Sequence, residues 1–76
     1  MDKIQIQVSG PTKSGKTTVI ALITKALQDL GAEVQVQRCD PEIDEKLQKT
    51  TIELQPRLQG VQVYITELQT ARVKNV

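Results

Sequence analysis

The chain has 76 residues, ten of them basic and nine acidic for a net charge of +1, with one cysteine, one tyrosine and no histidine, tryptophan or phenylalanine. A chain of this length forms one domain, residues 1–76, and buries only about 60% of its unfolded surface, so its stability margin is thin. The composition excludes histidine acid–base chemistry, an internal disulfide and a cysteine-rich zinc site, and the near-neutral charge gives no long-range field to recruit nucleic acid or an anionic membrane.

Ile4, Ile6 and Val8 alternate with Gln5, Gln7 and Ser9, which predicts a half-buried strand over 3–9. The next residues, Gly10-Pro11-Thr12-Lys13-Ser14-Gly15-Lys16-Thr17, form a complete G-x-x-x-x-G-K-T string. Each residue type has a physical reason to be there. A phosphate chain needs many donors at short range, so backbone N–H groups must wrap it without obstruction from side chains. Gly10 and Gly15 permit close approach or positive φ, and Pro11 stiffens the entry. Lys16 opens a helix, where its point charge and the free N–H groups of the first turn act together on an anion. Thr17 supplies a hydroxyl of the kind that completes a magnesium shell.

Val19, Ile20, Leu22, Ile23, Ala26, Leu27 and Leu30 recur at threes and fours, predicting a core-facing helix over about 15–30 with Gly31 as its left-handed cap. A second strand is expected where Val34 and Val36 alternate with Gln35 and Gln37, ahead of Arg38, Cys39 and Asp40. Cys39 reads as a small buried filler. Asp40-Pro41 marks a helix start, with Asp40 as N-cap, Pro41 at the first helical position and Glu42 in the first turn. Ile43 and Leu47 give that short helix one apolar edge, and it is expected to end near Thr50 and Thr51. Over 51–60 the sequence is ambiguous: Ile52, Leu54 and Leu58 alternate like a strand, but Pro56 removes a ladder donor and would demote it to an edge. After Gly60, Val61, Val63 and Ile65 alternate with Gln62, Tyr64 and Thr66 in the clearest strand of the C-terminal half. Residues 70–76 read as a frayed, mildly basic tail.

These elements predict an α/β fold: a minimal two-layer domain of about three strands in the order β-loop-α-β-α-β, its helices on one face, since strands buried on both faces read as continuous apolar runs. The other face carries Gln5, Gln7, Gln35, Gln37 and Gln62. That face is either a solvated polar surface or a place where another subunit's sheet pairs, and the thin stability margin favours a homo-oligomer.

Residues 4–40 resemble the opening β-loop-α-β unit of the P-loop NTPases, and the GPTKSGKT wording before an aliphatic helix is most similar to the nucleotide-kinase-like branch. In size and in the style of its opening segment the chain also resembles small P-loop proteins of tailed bacteriophages. The resemblance implies ATP, GTP or another nucleotide with magnesium as ligand. It makes Gly10, Gly15, Lys16 and Thr17 phosphate and magnesium contacts, with Thr17 on the metal and Pro11, Thr12, Lys13, Ser14 and Thr18 beside them. A full kinase-type P-loop enzyme, with about five parallel strands, does not fit this length.

Beyond Lys16, the catalytic candidates implied by such relatives are Asp40, whose alternative role is the helix cap, and Glu67, which ends the nearest match to the usual second acidic motif. Glu67 would reach the metal only if the third strand ran parallel beside the first. Tyr64 suits base stacking or a surface role, and Arg57 and Arg72 suit either solvent or a neighbouring subunit's phosphates. The leading expectation is a nucleotide-binding protein with weak or no hydrolysis. The others are an NTPase or small kinase with a composite intersubunit site, a phage-type protein that sequesters a nucleotide, and a structural adaptor with a relic loop. With no membrane-length apolar run and no signal-peptide pattern, the expected location is the cytoplasm, or the host cytoplasm if phage-encoded.

Overall fold

The computed structural model describes residues 3–37 and 39–69. The expected tail at 70–76, with Arg72, and the strand residue Arg38 lie outside them. Three helices follow the loop: α1 (Lys16–Asp29), α2 (Ile43–Leu47) and α3 (Thr51–Leu58).

The α/β expectation is overturned, because no strand forms among the described residues. Segments 3–9, 32–37 and 61–69 are irregular, without ladder partners among the described residues, and most of the apolar residues meant for a sheet's inner face are exposed, Ile4 at 88%, Val63 at 55% and Ile65 at 92%, with Val8 and Val34 half-buried. The physical reason is that alternation is a local pattern, whereas a parallel ladder needs a distant second segment brought alongside. Here the three helices associate with one another and leave those segments without a neighbour.

Helix α1 closes as its sequence predicts. Gly31 takes φ 92, its amide donates to Gln28 O and the amide of Ala32 donates to Leu27 O, the paired bonds of a Schellman cap. The buried face of α1 differs from the expected one. Thr18, Ala21 and Thr24 are the residues most fully covered, while Ala26 and Leu30 stay exposed. Short side chains at three-residue spacing let α2 and α3 approach closely, and both pack on α1. The core is small: Ala21, Ile43 and Leu54, flanked by Ile20, Leu22, Cys39 and Leu47.

Segment 51–60, ambiguous in sequence, carries the helix α3 over Thr51–Leu58. Thr50 Oγ1 accepts from the Glu53 amide at 3.2 Å, and the Glu53 carboxylate accepts from the Thr50 amide at 3.1 Å, a reciprocal capping box. These Thr50 hydrogen bonds hold the Glu53 carboxyl below its usual range. Pro56 sits inside the helix near its end, followed only by Arg57 and Leu58, where its missing N–H forfeits one backbone bond. Asp40 caps a turn rather than a helix: its Oδ1 accepts from the Glu42 amide at 2.9 Å, and α2 begins only at Ile43.

Candidate functional site

The loop Gly10–Gly15 leads directly into α1. Its φ angles alternate in sign, with Lys13 at 63 and Gly15 at 100 while Thr12 and Ser14 stay negative. Neighbouring residues of opposite backbone hand turn their N–H groups toward a common side, which is how a short peptide forms an anion-binding hollow. One internal bond braces the turn, from the Ser14 amide to Pro11 O at 3.2 Å. Among the described residues, no acceptor takes the amides of Lys13, Gly15, Lys16 or Thr17.

Lys16 folds back over this loop, its Nζ donating to Gly10 O at 2.5 Å and to Pro11 O at 3.3 Å. Gly10 leaves room for that path. A Cβ there would lie 3.0 Å from Ser14 Oγ and 3.6 Å from Lys16 Cγ, so any side chain would push on the lysine stem. Gly15 is required twice over, by its positive φ and by Leu58, whose Cδ2 would lie 3.1 Å from an added Cβ. The end of α3 is thus seated against the start of α1.

A cleft of about 340 Å³ opens beside the loop, lined by Lys13, Gly15, Thr18, Glu42, Lys46 and Arg57. Three cationic side chains face one carboxylate. Lys46 is only 7% exposed, and its one ion pair, to Glu42, is long at 3.7 Å. Thr18 is fully buried, and its Oγ1 has no hydrogen-bond partner among the described residues. A second cleft of about 350 Å³, between α1 and α3, is lined by Leu22, Ile52, Leu58 and polar neighbours with no charged group. Charge therefore distinguishes the loop-side cleft from the second one, with three cationic side chains and one carboxylate in its lining.

The other expected site residues are not gathered here. Asp40 spends its carboxylate on the turn at Glu42. Glu67 lies on an exposed irregular segment, and the parallel ladder that would carry it to the loop is absent among the described residues. Tyr64 is 85% exposed and donates its hydroxyl to Gln62 Oε1 at 3.1 Å. Arg57, read as either solvated or turned toward a neighbouring subunit's phosphates, lines the cleft of its own chain. Lys46 was not legible as a site residue, although it falls at i+3 from Ile43 and directly before Leu47, inside the apolar edge of α2. A lysine in that stripe is the signal.

No described helix is long and apolar enough to cross a membrane. Comparison with known protein families, with curated proteins and with solved structures finds no match.

Proposed function

We propose that the chain binds the phosphate chain of a nucleotide such as ATP or GTP, with magnesium, through the loop Gly10–Thr17, and that it hydrolyses the ligand weakly or not at all. The observation that carries this reading is the unbonded set of loop amides beside Lys16, at the start of a helix of 14 residues. Free N–H groups, a helix N-terminus and an ammonium group within one turn favour a multiply charged anion over any neutral ligand. The cleft volume supports the same class. At about 340 Å³ it stands at the lower end of ligand pockets, enough for phosphates while the base lies outside.

Magnesium would be shared between Thr17 and the phosphate oxygens, where it would neutralise charge and fix the chain's conformation. Thr17 lies in the first turn of α1 and is half-buried, which suits one protein ligand on an ion that keeps most of its shell as water and phosphate. No three acidic, histidine or cysteine side chains converge among the described residues, so the fit is to a phosphate-borne ion rather than to a protein cage. Weak turnover follows from the two carboxylates: Asp40 is engaged locally and Glu67 is carried on a segment with no ladder to position it.

The test is calorimetry with ATP and GTP plus magnesium on wild type and Lys16→Ala. Loss of one ionic contact costs about 1.5–3 kcal/mol, so affinity should fall by roughly 10- to 150-fold. Equal heats in the two proteins, with helix content unchanged by circular dichroism, would refute the assignment.

The protein is also proposed to act as a homo-oligomer. Ile4, Ile6, Val63 and Ile65 are exposed, and their alternating pattern suits pairing with equivalent segments of a second copy. Light scattering at micromolar concentration should give a multiple of the 8.4 kDa chain mass, and a monomer mass with and without nucleotide would overturn this assembly.

A further inference from the structure

We infer that Lys46 and Arg57 form, within a single chain, a second cationic wall facing the loop, so that the site recognises a polyphosphate chain by charge and is indifferent to the base it carries. The inference rests on the phosphate-binding reading of the loop and extends it to helices that the motif does not include.

Lys46 is the first reason. A lysine side chain that is only 9% exposed ordinarily has several hydrogen-bond acceptors, because burial strips away much of its water. Here it has none among the described residues beyond a 3.7 Å ion pair, and its partner Glu42 is itself 65% exposed. Thr18 is the second. Its hydroxyl is buried on α1 with no hydrogen-bond partner among the described residues, and Thr18 lines the same cleft. A phosphate oxygen is an acceptor for both groups, which is what each lacks. Arg57, in the last turn of α3, adds a planar donor fork suited to phosphate, and Lys13 closes the loop side.

The lining of the cleft also argues against base recognition. It contains no aromatic ring and no amide side chain, and the only aromatic residue of the chain, Tyr64, is exposed on a separate segment and bonded to Gln62. Stacking and edge readout of a base have no platform there. Recognition by three cations against one carboxylate depends instead on ligand charge. Inorganic tripolyphosphate should therefore substitute for ATP.

Calorimetry with magnesium and either tripolyphosphate or ATP, on wild type, Lys16→Ala, Lys46→Met, Arg57→Gln and Glu42→Gln, separates the possibilities. Tripolyphosphate should bind wild type within about threefold of ATP, and Lys46→Met and Arg57→Gln should each weaken both ligands about tenfold or more, one ionic contact's worth. Glu42→Gln should tighten both several-fold, a gain that a damaged fold does not produce. Arg57 is exposed, so its variant keeps the test valid if Lys46→Met does not fold. Affinity lost in Lys16→Ala but unchanged in Arg57→Gln and Glu42→Gln would overturn the second wall and leave the loop reading intact. ATP binding more than about thirtyfold tighter than tripolyphosphate would overturn base indifference. Binding of neither ligand to wild type would remove both readings together.

Discussion

Leu54→Ala is expected to bring the helical unit to the edge of unfolding. Leu54 is the largest fully buried side chain, at 0% exposure, and it joins α3 to Ala21 of α1 and Ile43 of α2. Truncating a buried leucine costs about 2–5 kcal/mol, from lost transfer energy and the cavity left behind. A domain of this length has roughly 4–11 kcal/mol in total, and a core built around three buried apolar residues places this one at the low end. The midpoint of thermal unfolding, followed by helix circular dichroism, should fall by at least about 8 °C. Ile52→Ala supplies the contrast, because Ile52 lies on the same helix but is 79% exposed, and its effect should stay within about 0.5 kcal/mol. Equal midpoints for the two variants would show that α3 is not held by Leu54.

The second large effect is expected at Gly15. With φ 100, an alanine there pays the left-handed penalty of about 1–2 kcal/mol, and its Cβ would meet Leu58 Cδ2 at 3.1 Å. The leucine methyl can give by a few tenths of an ångström, so the backbone term is the larger. The consequence for function is greater than for stability. Gly15 fixes the direction in which α1 leaves the loop, hence where the amides of Lys16 and Thr17 lie. Gly15→Ala should therefore both lower the melting midpoint and weaken nucleotide binding. Gly60→Ala is the control, since Gly60 has φ 81 but nothing within 4 Å of an added Cβ and no place in the cleft. If Gly15→Ala binds as tightly as Gly60→Ala, the loop's backbone geometry is not what holds the ligand.

The parts of the molecule legible in the sequence are those governed by neighbours in the chain. The GPTKSGKT string, the helix after it and the Gly31 cap all depend on contacts within a few residues, and all are present. The capping box at Thr50 and Glu53 is equally local and marks the start of α3, but the strand-like alternation of Ile52, Leu54 and Leu58 and the presence of Pro56 leave the segment ambiguous in sequence. A proline weighs heavily against a long helix and much less against one of eight residues, which has few interior bonds to lose. What the sequence could not convey was pairing. Ile4, Val34 and Val63 sit in segments that alternate as strands do, but alternation says only that one side is apolar, not what covers it. The buried face of α1 was obscured for a related reason: a hydrophobic count favours Ile and Leu, whereas close helix approach selects Thr18, Ala21 and Thr24. The candidate site was legible in its loop, whereas the placement of Lys46 and Arg57 in the cleft beside it depends on how α2 and α3 fold back.

Lys16 already has oxygen partners in the carbonyls of Gly10 and Pro11. An arriving molecule must therefore exchange its own oxygens for those two, a swap that is close to even for a dipole and favourable only for a full negative charge. On the phosphate-binding proposal, the resting loop would therefore set a threshold that sugars and other uncharged metabolites do not pass.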